Sequence, residues 1–474
     1  MPTVHLLDYV AGNIRSLVNA IEKLGYQVEW IKSPEDVSKA EKLILPGVGH
    51  FGHCLSQLSQ AGYLPAVQQH IAAGKPFFAV CVGLQALFQG SVEDRDVAGL
   101  GVIPSTLDRF SDADKPVPHI GWNSANTHGR AMYDLRAGSK YYYVHSYKCP
   151  YKPGELEDQG WTVATGTYGN ETFIGAIAKG NIYATQFHPE KSGVAGLRTL
   201  RAFLTGTGAK NLGAPLTEHL VSSASKDGLT RRVLRQTSRT VFVPLTIGGG
   251  IRDTVDTDGT KVTALEIATM YFKSGADKVS VGSDAVIAAE EYYSLGKKLF
   301  GNTAIEQISR AYGNQAVVVS VDPKRVYVPK RDATRHALVE TATPGPKGEP
   351  YCWYACTIKG GRETRDMDVV ELAQAVEAMG CGELLLNCID KDGTSSGFDL
   401  ELIAQVKAAV TIPVIASSGA GVPAHFDEVF CKTTTDAALG AGMFHRGEYT
   451  VKQVKEYLDE KGLVVRKFED DLER

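Results

Sequence analysis

One cysteine stands where a thiol becomes a nucleophile. In KPFFAVCVGLQALF (75–88) an apolar strand runs into Cys81, then Val82 and Gly83, then sequence of helical character. That is the strand–turn–helix pattern of a nucleophile elbow, which exposes the side chain and sets helix N–H groups beside it. A thiol at a helix start has a lowered pKa and is more nucleophilic. A second motif, QFHPEKSG (186–193), follows the strand-like NIYATQF and carries His188 and Glu190 on either side of Pro189. An imidazole can take the thiol proton, and a carboxylate can orient the imidazole. A third, LPGVGHFG (45–52), is a Gly-rich loop that can turn backbone N–H groups toward a developing oxyanion. Singly, these read as a buried strand-end cysteine, a chance HPE and an ordinary turn. Together they describe a nucleophile, its base and the base's orienting acid.

The C-terminal half carries a different chemistry. Gly248-Gly249-Gly250 follows one strand, and Ser280 with Gly282 follows the next. Ser417-Ser418-Gly419-Ala420-Gly421 and Gly440-Ala441-Gly442 repeat the arrangement. Glycine lets the backbone approach closely, and clustered N–H groups hold anions without net positive charge. Two such sites related by a repeat suit a substrate with a phosphate at each end. Tight βα turns are the plain alternative. Asp322 ends the apolar strand AVVVSVD, where a carboxylate can act as general acid or base or cap a helix. Asp390, Asp392 and Gly393 form another polar loop in NCIDKDGTSSG.

These residues need two scaffolds. The first part alternates strands (VHLLDYV, YQVEWI, KLILPG, KPFFAV) with helical sequence, the longest from Asn13 to Leu24. That rhythm predicts a mostly parallel sheet flanked by helices. From Pro118 to Gln186 the runs shorten and predict antiparallel strands appended to that sheet. Residues 206–225 are small and polar and read as a linker. The expected domains are therefore 1–205 and 226–474. In the second, strands are expected at 241–247, 277–282, 316–322, 383–389, 414–418 and 437–441, each followed by helix-like sequence. This predicts a (β/α)8 barrel with its site on the loops after the strands. VFVPLTIGGGIRD is similar to TIPVIASSGAGVP, so the barrel reads as two half-barrels. Only six strands are present, however. By symmetry two βα units belong between Asp227 and Val241, and the chain passes straight to the third strand.

The bulk properties narrow the class. The 474 residues exceed one compact core. A net charge of −4 gives no global basic excess for nucleic acid. The eight cysteines form no CxxC pair and no disulfide-like spacing. No stretch reaches the ~20 apolar residues of a membrane span, and the N-terminus lacks a signal-peptide pattern. The expectation is a cytoplasmic protein without nucleic-acid or membrane partners. CWYAC (352–356) lacks a histidine or second cysteine pair, so no metal is expected there. Val328–Glu349 reads as a long loop or hairpin of illegible role.

Residues 1–205 resemble a class I glutamine amidotransferase domain. The resemblance implies Cys81 as nucleophile, His188 as base and Glu190 as its partner. It puts Gly47, Val48 and Gly49 at the oxyanion hole and Gln85 beside the glutamine, with His145, Ser146 and Tyr147 lining that pocket. Ala79 departs from the glycine frequent in the family elbow, but it is small enough to serve. GGGIRD, SVDPKR, CIDKDGTSSGFD and IASSGAG, in this order, resemble the cyclase of histidine biosynthesis. That implies a bisphosphate substrate, phosphoribulosyl-formimino-aminoimidazole carboxamide ribonucleotide. Imidazole glycerol phosphate and aminoimidazole carboxamide ribotide are the implied products, and no cofactor is implied. Its phosphates would lie at Gly249, Gly250, Ser280, Gly282, Asp392, Gly393, Ser417, Ser418, Gly419, Gly440, Ala441 and Gly442.

The cyclase family uses two aspartates. Asp322 matches the one on the fifth strand, and the one on the first strand belongs to the absent segment. Ammonia crosses the family's barrel from the end opposite the substrate. Lys278 and Glu383 match its charged gate, with a rim ion pair as the plain alternative. Trp122, in PHIGWN, and Asp277 are expected at the domain interface. A single chain carrying both halves is expected to act as a monomer. Two rivals stand beside this reading: a glutaminase fused to a bisphosphate sugar isomerase, and a glutaminase controlled by a non-catalytic phosphate-binding barrel.

Overall fold

The computed structural model describes residues 1–9, 13–207, 229–255 and 260–466, with 229–232 as backbone alone. In the first domain a seven-stranded sheet is built around Phe77–Val80. That strand is flanked by parallel neighbours, Leu43–Leu45 and Ile182–Thr185, and all its side chains are buried. Continuous apolar sequence is what a strand covered on both faces requires. Gln27–Ile31, at one edge, instead alternates exposed and covered residues. At the other edge Thr162–Tyr168 and Glu171–Lys179 are the expected antiparallel additions. The helix Ile14–Lys23 starts where the Asn13 side chain accepts from Ser16 N, and it buries Ile14, Leu17, Val18 and Ile21.

The second domain has an open six-stranded sheet, all parallel, with strands in chain order. The edges are Thr246–Gly248 and Ala437–Ala438, each paired on one side among the described residues. The first strand is shorter than the expected 241–247. Pro244 lacks an N–H, and Phe242 packs into the first domain's core. Positions 208–225 of the expected linker lie outside the described residues. So does the tail 467–474.

The stretch Val328–Glu349, expected as a long loop or hairpin, carries the short strand Val339–Glu340 of a small antiparallel sheet completed by Pro323–Val328, Tyr351–Ile358 and Glu363–Asp368. Cys352 and Cys356 lie in the second domain's core. The buried Arg325 guanidinium ties this sheet to the barrel, donating to both oxygens of Asp399 at 2.8 Å. No helix among the described residues is long and apolar enough to cross a membrane.

The domains meet at the N-terminal ends of the barrel strands. Asn13 donates to Gly275 O and Asp277 Oδ1 (3.1 and 2.8 Å), and Asn19 donates to Ser238 O (2.9 Å). Lys191 Nζ lies 2.7 Å from Asp277 Oδ2, and Val117 N donates to Thr411 O at 3.3 Å. Trp122 is also at this boundary, between Tyr142 and the guanidinium of Arg466, 3.5 Å from its ring centre.

Candidate functional site

Parallel pairing brings the two halves of the thiol site together. Val80 and Thr185 are register partners, so Cys81 and the segment 186–190 leave the same end of adjacent strands. Cys81 has φ 53° and ψ −108°, a backbone state that costs a non-glycine residue ~1–3 kcal/mol. Its N–H donates to Thr185 O at 2.7 Å, and its carbonyl accepts from Gln85 N at 3.0 Å. The expected helix is one turn, Val82–Gln85, because the chain enters the strand Phe88–Ser91 almost at once. The Gly47–Gly49 loop presses on that turn. A Cβ on Gly47 would stand 2.3 Å from Gly83 N, and one on Gly83 would stand 2.4 Å from Leu45 O. Only glycine permits this approach, and Val48 and Gly49 of the same loop line a cavity with Cys81.

His188 is held from several sides. Its N–H donates to Tyr142 O at 2.9 Å, and its carbonyl accepts from Ser192 Oγ at 2.6 Å. Nδ1 lies 2.8 Å from Glu190 Oε1 in a buried pair. Nε2 is buried without a hydrogen bond. Burial alone would lower the imidazole pKa, but negative charge on the facing Cys81 and Glu190 holds it well above the usual value. An imidazole oriented by a carboxylate and facing a thiol is the arrangement that can take the thiol proton.

Of the other expected pocket residues, Gln85, His145 and Tyr147 lie close to this centre, whereas the Ser146 carbonyl accepts from Phe110 N at 3.0 Å. Gln85 is buried and donates to Tyr147 O (3.2 Å) and to Gln186 Oε1 (3.1 Å), so its amide is committed to protein partners. His145 lies beside His119 (3.2 Å) and Tyr147 O (2.8 Å). Burial drives its pKa down to about 3, so it is neutral. Gln186, Tyr142 and Lys191 also belong here and were not singled out from sequence. Gln186 and Lys191 flank the HPE motif, which was the available signal.

One cavity runs from this centre toward the barrel. Its walls include Val48, Gly49, Cys81, His188, Tyr142, Asp277 and Lys278. At the barrel end Lys278 Nζ lies 2.8 Å from Glu383 Oε2, with both side chains buried. Burial would lower the lysine pKa, but Tyr142 and Glu383 raise it, so it stays charged. Burial pushes Tyr142 up to about 12. Gly49 belongs to the first domain, yet a Cβ there would meet Ala311 O of the second at 3.2 Å. The Gly47–Gly49 loop is therefore pinned against the barrel.

At the opposite end of the barrel strands a cleft of about 430 Å³ is lined by Gly248–Gly250, Arg252, Ser280, Gly282, Ser283, Asp284 and Ser320. Gly249 and Gly250 have φ of 100° and 70°, which suits a loop presenting N–H groups. The repeat-related loop is also left-handed, at Ser418 (φ 73°) and Gly419 (φ 95°). It lies under the segment carrying Asp392 and Gly393, for a Cβ on Gly419 would meet Gly397 O at 2.1 Å. Gly440, Ala441 and Gly442 follow the adjacent strand Ala437–Ala438. Asp322 accepts from Asn387 Nδ2 at 2.9 Å, which orients its carboxylate, and Asn387 is a further residue missed from sequence. Asp390 has a structural task, accepting from Arg325 N at 2.8 Å.

Among the described residues one cluster, His336, Asp368 and Glu371, has the donor types of a metal site. Its carboxylates are occupied in a helix cap. Asp368 accepts from Val370 N, Glu371 N and Ala337 N, and Glu371 accepts from Asp368 N.

Comparison with known proteins completes the picture. The chain matches the family described as Glutamine amidotransferase class-I over residues 5–205, and Histidine biosynthesis protein over residues 219–450. It is 58% identical to imidazole glycerol phosphate synthase hisHF of Emericella nidulans over 556 aligned positions, covering 100% of both chains. It is 48% identical to the hisHF of Schizosaccharomyces pombe, covering 98% of this chain and 99% of that one. Imidazole glycerol phosphate synthase subunit HisF of Haloarcula marismortui is 41% identical over 48% of this chain and 71% of its own. The 556 aligned positions exceed the 474 residues here, so at least 82 of them face no residue of this chain. Two βα units need roughly 60 residues or more, so the shortfall can hold the two strands that the sheet lacks among the described residues. By its identity over the full length, the chain belongs to the imidazole glycerol phosphate synthase hisHF family, in which a glutamine amidotransferase domain is joined to a cyclase domain of histidine biosynthesis.

Proposed function

We propose that this chain hydrolyses glutamine at Cys81 and delivers the ammonia through the barrel to the bisphosphate ribonucleotide, forming imidazole glycerol phosphate and aminoimidazole carboxamide ribotide. The Cys81 thiolate attacks the amide carbon. The Gly47–Gly49 loop binds the oxyanion, and His188 gives its proton to the departing ammonia. Water, deprotonated by His188, then attacks the thioester, the C–S bond breaks and glutamate leaves. Glu190 keeps the imidazole oriented throughout. Ammonia passes Lys278 and Glu383 and meets a substrate held by the Gly249–Gly250, Ser280–Gly282, Asp392–Gly393, Ser417–Gly419 and Gly440–Gly442 loops. Asp322 serves there as acid or base. The domains are 1–205 and 226–474, joined at 206–225, with Asp277 and Trp122 at their contact. One chain supplies both halves, so it acts as a monomer. It works in the cytoplasm, a reading that its free cysteines support.

The observation that carries this reading is the cavity shared by Cys81 and Lys278 across the domain boundary. Ammonia released there is shielded from solvent and lies next to the barrel's charged gate. The open six-stranded sheet favours the second reading, a barrel that binds phosphate and controls the glutaminase without chemistry of its own. Product analysis decides between them. Turnover of the bisphosphate with ammonium supports the synthase. Glutaminase stimulation by the bisphosphate without turnover supports the regulator.

A further inference from the structure

A carbonyl fixes the direction of a chain of amides that ends on the nucleophile. Gln85 Nε2 lies 3.2 Å from Tyr147 O, a backbone carbonyl that can only accept. The Gln85 atom there must therefore be the NH₂ group. That same nitrogen lies 3.1 Å from the Gln186 side chain, which must then present its oxygen. The other end of the Gln186 amide is thereby its NH₂, and it lies 3.4 Å from Cys81 Sγ. Side-chain amides are often ambiguous in direction, but here the flip is excluded by the network. Gln186 is fully buried, Gln85 nearly so, and Gln186 N is tied to Gly175 O at 2.8 Å.

We propose that Gln186 is a positioning residue of the glutaminase, donating a hydrogen bond to the Cys81 sulfur and stabilising its thiolate. The proposal rests on the reading of Cys81 as nucleophile. Thiols accept hydrogen bonds weakly, whereas a thiolate accepts a charge-assisted one. The bond therefore strengthens when Cys81 loses its proton to His188, weakens in the thioester, and strengthens again when the C–S bond breaks and its electron pair returns to sulfur. It favours both attack and expulsion. Gln186 donates to the sulfur while His188 Nε2 makes no hydrogen bond, so the imidazole remains free to carry the proton. The residue lies two positions before His188, so the strand that delivers the base also delivers the donor.

The test is the pH profile of Cys81 alkylation by iodoacetamide in the full chain, followed by mass spectrometry of the Cys81 peptide. Gln186→Glu keeps the size and the acceptor toward Gln85 but replaces the N–H by a lone pair. Gln186→Leu removes both. The midpoint is expected to rise by about one pH unit or more in Gln186→Glu, and less in Gln186→Leu. The glutaminase kcat is expected to fall about tenfold while KM for glutamine stays within about threefold. If either variant fails to fold, Gln85→Leu, which frees the Gln186 amide to turn, is expected to raise the midpoint more modestly. An unchanged midpoint in the folded variants overturns the proposal. Cys81→Ser separates the two readings. Full glutaminase activity in that variant removes the nucleophile and the proposal with it. Loss of activity there with unshifted Gln186 profiles removes Gln186 alone.

Discussion

Cys81 and Lys278 line one cavity although they belong to different domains. The nucleophile ends a strand of the amidotransferase sheet, and the lysine begins a strand of the barrel sheet. The space between them is closed by Gly49, Tyr142 and Asp277. Lys191 and Glu190 also line that space, so its walls are polar from the thiol to the barrel.

Cys81→Ser is expected to abolish glutamine-dependent product formation and to leave ammonium-dependent formation intact. Glutamate release and product formation, measured separately, check this. Loss of both in a folded variant would mean that the two sites are not separable.

Lys278→Met leaves the Glu383 carboxylate buried without its cation. Stripping one partner from such a pair costs about 3–5 kcal/mol. Thermal unfolding should show the loss. The ratio of glutamate released to product formed should also rise, because ammonia escapes instead of crossing. A ratio of one in the variant would remove the gate role.

Asp322→Asn is expected to lower cyclase turnover by about a hundredfold or more with either nitrogen source, the scale of a lost general acid or base. Asn387→Leu removes the partner that orients the carboxylate and should lower turnover less. A steady-state rate unchanged with ammonium would take Asp322 out of the chemistry.

His145 gives the pH dependence a sign. Its folded pKa is lowered to about 3 by burial, so between about 3 and the ordinary 6.5 the unfolded chain binds a proton that the folded one does not. Stability from this group is therefore complete above 6.5 and is lost as pH falls through that window, by roughly 2 kcal/mol between pH 6.5 and 5. Denaturant titrations at the two pH values should show that difference, and His145→Asn should shrink it. An equal slope in the variant would assign the loss to other groups.

Part of the site was readable because its chemistry is written contiguously. KPFFAVC and QFHPE each place a reactive residue at the end of an apolar strand, and such strands lie in the sheet's centre. Gln186 and Asn387 were not readable. A glutamine before Phe-His-Pro-Glu or an asparagine in a strand has no chemistry until a partner 65 or more residues away faces it. The first barrel strand was overread because VFVPLTI has strand composition throughout. Phe242 is drawn instead into the other domain's core, which no local pattern reveals.

By itself, the sequence determined the two scaffolds, the thiol–imidazole–carboxylate set, the glycine-rich loops after the barrel strands, and the count of six barrel strands. These depend on residue type and short-range periodicity. Tertiary structure alone decided that Cys81 and Lys278 share a cavity, that Asp277 bonds Lys191 and Asn13, and that Gln186 turns its N–H toward the sulfur. Such relationships come from strand register and domain docking. Their energies lie in contacts between residues as many as 264 positions apart, which spacing along the chain does not encode.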